Sequence, residues 1–195
     1  MTTTMTSEEH KTRSDRSYKL LLLFAMISMT MMFAGLTSAF VVSKSRADWL
    51  KDFQLPTAFY FSTAVIIGCS IAFHLAKKAI KKDNQSATTA FLLTTLALGI
   101  TFVILQFVGF SEIVANGYYF TGAESSITTT FLYIVTVVHL AHLFGGLIAL
   151  IIIIFKQLKG KYNSTQTIGI ELGAMYWHFL DLLWVYLFLF LFFFK

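Results

Sequence analysis

Three ionisable side chains near the C-terminus have types and spacing that could support proton chemistry. Asp181 stands three residues after His178 and ten after Glu171. On a helix, these three side chains fall within an arc of roughly 80°. Asp181 lies inside a long apolar run, where an ionisable group is costly unless it is paired or faces protein or water. The spacing therefore predicts one polar helix face, which either fixes packing by hydrogen bonds or holds a proton or a lipid headgroup.

A second pair of ionisable residues, His139 and His142, is also three residues apart in an apolar run. The pair predicts a matching polar stripe on the preceding helix, and contact between the two stripes would form one site.

Two other classes of protein would also use such residues. Histidines on facing helices hold haem in b-type membrane cytochromes, and His74 with His178 could stand at equal depth, whereas His139 and His142 cannot take opposite faces of one haem. Polar stripes can also line the path of a small transporter, although no inverted repeat is visible and the only proline, Pro56, opens an apolar run. The residues alone leave these alternatives open.

Five apolar runs must position these side chains, at 20–42, 57–76, 90–110, 129–155 and 174–194. Each run has at least the ~20 residues that a helix needs to cross a hydrocarbon core of ~30 Å. The runs are continuous and rich in Leu, Ile and Phe rather than alternating, which favours helices over a β-barrel. The sequence predicts an all-α, polytopic membrane helix bundle, with a polar tail over 1–19 and a single five-helix transmembrane domain over 20–195.

Charge and composition predict the orientation and exclude some functions. Eleven of the fifteen Lys and Arg residues precede the first run or follow the second and fourth, and four lie on the other side, namely Lys44, Arg46, Lys51 and Lys195. This bias predicts a cytoplasmic N-terminus and a periplasmic C-terminus. A chain that is 56% hydrophobic and 13% charged belongs to the membrane class. Its basic residues form short clusters between apolar runs, which argues against nucleic-acid binding despite a net charge of +5.

The C-terminal run carries a specific motif. Residues 169–184 read GIELGAMYWHFLDLLW and resemble the terminal helix of cytochrome c oxidase subunit III, whose pattern is G-x-E-x-x-x-x-Y-W-H-F-x-D-x-x-W. The segment VHLAHLFGG at 138–146 is similar to that family's H-x-x-H-x-x-x-G, and GITFVILQ at 99–106 is similar to its G-x-x-F-x-x-x-Q. The resemblance extends from about residue 20 to the C-terminus. The family commonly has seven helices, so this chain resembles a short, five-helix bacterial form.

The resemblance implies a supporting subunit of an enzyme complex rather than a catalytic centre. It implies contact with the catalytic subunit I and the other subunits of an aa3-type oxidase, whose haem and copper reduce dioxygen while protons are pumped. It also implies bound phospholipid, support of proton uptake, and a location in a bacterial cytoplasmic (inner) membrane. A quinol oxidase subunit III is the alternative, and membership of a larger respiratory supercomplex stays open.

The same resemblance suggests roles for particular residues. The candidates for lipid binding or proton-uptake support are Glu171, His178, Asp181, His139 and His142. The candidates for interface or lipid contact are Tyr176, Trp177, Trp184 and Gln106.

Two departures from the family pattern limit what can be transferred. The family glutamate that reacts with carbodiimide aligns with Met29, and a second frequent acid aligns with Gly109. Any role of those carboxylates is therefore not expected here.

Overall fold

The structure, a computed structural model, describes residues 7–46, 49–50, 55–120, 122 and 126–194. Its five long helices are α1 (Ser7–Val42), α2 (Thr57–Lys81), α3 (Gln85–Ala115), α4 (Ile127–Leu158) and α5 (Ile168–Phe194), with a short 3-10 helix at Ser43–Ser45. All five are long and apolar enough to cross a membrane. The predicted all-α, five-span fold is confirmed, and the chain is a multi-pass membrane protein.

Local sequence signals set several helix ends. Pro56 directly precedes α2, where its missing N–H and fixed φ do no harm. Asn84 caps α3 by accepting the N–H of Ala87, and Ser126 forms a capping box with Thr129 at the start of α4. The α2–α3 connection is tight because Asp83 adopts a positive φ of 58°, a conformation that Asp tolerates better than most residues.

Helices α2 to α5 form a four-helix bundle. Helix α2 packs against α3 and α5, and α4 packs against the other sides of the same two helices. Large buried aromatic side chains fill the centre, among them Phe73, Phe102, Trp177 and Trp184. Helix α1 lies outside the bundle against α4 and α5, where Phe33 enters a smaller core with Val135, Leu183 and Leu187.

The outward faces of the helices are apolar, as expected for contact with lipid. Phe61, Leu182 and Phe193 are each more than two-thirds exposed. In lipid such faces need no protein cover, and helix association relies on close packing and hydrogen bonds.

The start of α1, the α2–α3 turn and the α4–α5 loop meet at one end of the bundle, which we call the basic end. Lys11 Nζ lies 3.5 Å from the carbonyl oxygen of Thr165, and the Ser164 N–H donates to Asp83 Oδ1. The eleven basic residues that were assigned to one side belong to these segments. Of the four assigned to the other side, Lys51 and Lys195 lie outside the described residues.

Candidate functional site

Glu171 joins three helices at the basic end. Its Oε2 accepts a hydrogen bond from Lys19 Nζ of α1 at 2.7 Å, and its Oε1 accepts one from Thr167 at 3.1 Å and lies 3.9 Å from Lys81 Nζ of α2. Its position in the first turn of α5 is also where the helix dipole favours a carboxylate. Glu171 therefore holds the start of α5 against α1 and α2.

His178 lies on the seam between α5 and α2. Its Nδ1 is 2.6 Å from the hydroxyl oxygen of Ser70, and its ring centroid is 6.3 Å from that of His74. His74 is exposed and stands one turn before Lys77 and Lys78. The seam thus carries polar groups inward from the basic end.

Asp181 lies deeper on the same seam, 4% exposed. Within the described part of the chain, neither of its carboxylate oxygens has a hydrogen-bond partner. The Ser70 hydroxyl and the Cys69 thiol lie beside it. An ionised carboxylate without a partner is costly at such a position.

The polar face of α5 is turned toward α2 and not toward the histidines of α4. His139 is fully buried, with its ring between Phe102 and Trp184 and next to Phe33. Its two nitrogens have no hydrogen-bond partner among the described residues, and His142 Nδ1 lies 2.8 Å from the Val138 carbonyl oxygen of its own helix.

The two predicted stripes therefore remain apart. The α4 histidines belong to an aromatic cluster, while Glu171, His178 and Asp181 follow the α2–α5 seam.

An apolar groove of about 400 Å³ opens between α1, α4 and α5. Tyr176 and Trp177 line it, together with the glycines Gly146 and Gly173, and Lys156 stands at its edge. The Trp177 indole N–H donates to Cys69 Sγ at 3.2 Å, and the Tyr176 hydroxyl donates to the His142 carbonyl oxygen at 3.0 Å. These bonds fix both aromatic rings in the groove.

A polar crater of about 480 Å³ lies beside the groove at the basic end. Lys11, Lys19, Lys161 and Glu171 contribute to its wall. Tyr162 lines both cavities, and burial raises the pKa of its phenol, which therefore stays a neutral hydrogen-bonding group. The apolar groove thus continues into a polar crater whose wall carries three lysines and two carboxylates, Asp15 and Glu171.

Two of the predicted contact residues are enclosed by their own chain. Trp184 is 1% exposed and donates its indole N–H to Thr63 Oγ1 at 3.1 Å, while Gln106 is 0% exposed and donates to Ser62 Oγ at 2.8 Å. In the isolated chain, neither reaches a surface that lipid or a partner would touch.

Sequence reasoning missed two residues of the site. Ser70 and Lys19 each bond directly to a predicted residue, but a serine inside an apolar run and a lysine before one are ordinary features of membrane helices. The four-residue spacing of Ser70, His74 and Lys78 is the signal that could have located the seam.

The fold and the site define the class of protein, which is a polytopic membrane helix bundle with a polar seam and an apolar groove. The described residues contain no group of three or more metal-ligating side chains. The sequence model of the family "Cytochrome c oxidase subunit III" matches residues 1–195, and the chain belongs to that family. Its membership places the chain in a respiratory complex with other oxidase subunits, and separates it from the b-type cytochromes and transporters that the histidines alone left open.

Individual relatives agree with the family match. The chain is 28% identical over 174 residues to "Cytochrome c oxidase subunit 3" of Thermostichus vulcanus, covering 86% of this chain and 82% of that one. It is 32% identical over 139 residues to the protein of the same name from Spodoptera frugiperda, covering 71% and 88%. With that of Pelomedusa subrufa the identity is 33% over 140 residues, covering 72% of this chain and 50% of the relative.

Proposed function

We propose that this chain is the non-catalytic subunit III of an aa3-type cytochrome c oxidase in a bacterial cytoplasmic membrane. The family match over residues 1–195 carries the proposal. In this proposal the basic end faces the cytoplasm, as the positive-inside rule favours, and the C-terminus is periplasmic. Residues 20–195 act as one membrane domain, and the polar tail over 1–19, of which residues 7–19 belong to α1, lies in the cytoplasm.

The proposed complex supplies the cofactors from another subunit. Haem and copper belong to the catalytic subunit I, against which this chain packs and which it helps to assemble. Dioxygen reduction and proton pumping take place there.

Purification through a tag on the N-terminus tests this proposal. In mild detergent, we expect a large haem-bearing subunit to co-purify, with a haem a signal in the reduced-minus-oxidised spectrum and oxidation of reduced cytochrome c. Oxidation of quinol instead would identify the quinol oxidase alternative. A chain that purifies without an oxidase subunit, or that carries its own haem b spectrum, would contradict the proposal.

Bound phospholipid is the second part of the proposal. The apolar groove beside Tyr176 and Trp177 suits an acyl chain, and the lysines of the adjoining crater suit an anionic headgroup. Lipid analysis of the same purified complex would detect a phospholipid that survives detergent exchange.

Support of proton uptake is the third part. Glu171, His178 and Asp181 lie along one seam that starts at the basic end, which is the cytoplasmic end in this proposal. The α4 residues His139 and His142 would act only indirectly, because they lie in the aromatic cluster.

We expect Asp181→Asn and His178→Phe to lower turnover and proton pumping during prolonged catalysis by at least about twofold. This is far below the effect of a group in the chemical step, because these residues would only feed the catalytic subunit. Stopped-flow proton release and oxygen consumption by reconstituted oxidase would measure it.

Glu112→Gln is the matched control, because it removes a carboxylate at the opposite end of the bundle, where Glu112 accepts the Thr57 N–H at 2.8 Å. Full turnover and full pumping by normally assembled Asp181→Asn and His178→Phe complexes would refute the uptake role. Loss of assembly in both would show that the two residues serve packing.

A further inference from the structure

Ser70 lies between the two most deeply placed ionisable groups of the α2–α5 seam. Its hydroxyl oxygen is 2.6 Å from His178 Nδ1, and Asp181 stands one turn after His178 on the same face of α5. No hydrogen bond of normal geometry joins Ser70 to Asp181, whose two oxygens are unpartnered among the described residues. The hydroxyl therefore faces His178, and the unpartnered Asp181 carboxylate is the next ionisable group along the same seam.

Cys69 and Ser70 of α2 stand beside the turn of α5 that carries Trp177, His178 and Asp181. The Cys69 thiol is already committed, since it donates to the Thr95 carbonyl at 3.2 Å and accepts the Trp177 indole N–H. Ser70 is then the side chain that can connect Asp181 to a titratable neighbour.

The other end of this connection reaches the basic end. His178 is half-buried, and the groups that face it are Ser70, His74 and Lys77 of α2. His74 is exposed on α2 and stands one turn before Lys77 and Lys78, which lie toward the basic end. The seam is thus a graded series from an exposed imidazole, through a half-buried one, to a buried carboxyl group.

We propose that the Ser70 hydroxyl is a proton relay that connects His178 to Asp181, so that Asp181 exchanges protons with the medium at the basic end. This inference rests on the proposed proton-uptake role and adds the residue that makes the seam continuous.

The proton that is transferred comes from water, and each step of the transfer leaves the number of protons balanced. His178 receives a proton on Nε2 and releases the Nδ1 proton to Ser70 Oγ. Ser70 passes its own hydroxyl proton to a carboxylate oxygen of Asp181, which becomes the neutral acid. The reverse order of steps returns the proton to water and restores both the Nδ1–H imidazole of His178 and the Ser70 hydroxyl.

A serine suits this role because a hydroxyl is both a donor and an acceptor and needs only rotation to change partner. Alanine at position 70 would leave His178 and Asp181 in place without a bridge. Threonine would keep the hydroxyl and add one methyl group.

Infrared spectroscopy of the purified, complete oxidase tests the relay. The carbonyl stretch of protonated Asp181 is assigned by its loss in Asp181→Asn, and its shift after transfer to D₂O gives the exchange rate. We expect Ser70→Ala to slow this exchange at least about tenfold, since a positioned proton-transfer group contributes a factor of ~10² or more, and Ser70→Thr to stay within about threefold. Thr101→Val, which removes an exposed hydroxyl of α3 that bonds to the Ala97 carbonyl of its own helix, should leave the rate unchanged.

Exchange at the wild-type rate in Ser70→Ala would overturn the relay, and so would the absence of a protonated Asp181 band in the wild-type oxidase. These failures differ from failure of the uptake role. If Asp181→Asn leaves turnover intact, the uptake role fails while the exchange measurement still stands. If Asp181→Asn slows turnover but Ser70→Ala leaves exchange unchanged, only the relay fails.

Discussion

Replacing Trp177 by alanine is expected to lower the free energy of unfolding by about 2–4 kcal/mol and to reduce the amount of assembled oxidase. The indole is 1% exposed, donates to Cys69, and closely approaches Gly99 and Gly146, where an added methyl group would lie within 3.1 Å and 3.4 Å of the ring. Because the unfolded helices would also remain in lipid, the loss comes mainly from the cavity and the hydrogen bond rather than from transfer to water.

Unfolding of the purified chain in mixed micelles would measure this loss, with Phe193→Ala as the control. Phe193 is an aromatic residue of the same helix that is 71% exposed, so its removal should change the unfolding free energy by less than about 0.5 kcal/mol. Equal effects of the two substitutions would mean that the indole does not hold the bundle together. Trp177→Phe, which keeps a ring but loses the N–H, would separate the cavity from the hydrogen bond.

The existence of five spans could be predicted from the sequence because lipid imposes a strong length requirement on each apolar run. The helix ends could not be predicted, because hydropathy marks the residues inside the membrane and not the full length of each helix. Helix α1 begins at Ser7, well before the apolar run at 20–42, and α2 continues to Lys81 beyond its run at 57–76. Lysine, arginine and glutamate are good helix formers, so these helices continue into the aqueous phase without an apolar signal.

The site was only partly predictable, because the sequence pattern describes each helix separately and not its contacts with other helices. Helical spacing placed Glu171, His178 and Asp181 on one face of α5, and the structure keeps them along one seam. Helical spacing does not predict which neighbouring helix that face contacts, because the α4–α5 loop of moderate length allows α5 to present different faces to α4. The structure places α2 there instead, and Ser70 enters the site with it.

The family motif pointed to particular residues but not to the role of each one. It led to the hypothesis that Trp184 and Gln106 contact a partner or lipid, but a motif does not say whether a residue serves packing or contact. Their burial and their hydrogen bonds to Thr63 and Ser62 place both inside the bundle.

Introducing a glutamate at position 109, where the family often has an acid, is expected to destabilise this chain by about 3–5 kcal/mol. Gly109 is buried on α3 directly against the ring of Phe59, and even an added Cβ atom would collide with that ring. Phe59 is fully buried and packed edge-on against Phe110 and Trp184, so it cannot move aside. The new carboxylate would also be an ionisable group inside a membrane span, which is costly in itself.

Graded substitutions separate these two causes, using the unfolding assay and the yield of assembled oxidase. Gly109→Ala adds only the colliding carbon and should cost about 1–3 kcal/mol, whereas Gly35→Ala, at a position with open space around it, should cost little. Met29→Glu restores the other missing family acid at a half-buried position of α1 and should be milder than Gly109→Glu, because an unbranched side chain of similar length already occupies that position. A Gly109→Glu protein as stable as Gly35→Ala would show that Phe59 yields, and that the glycine is not required by close packing of α2 on α3.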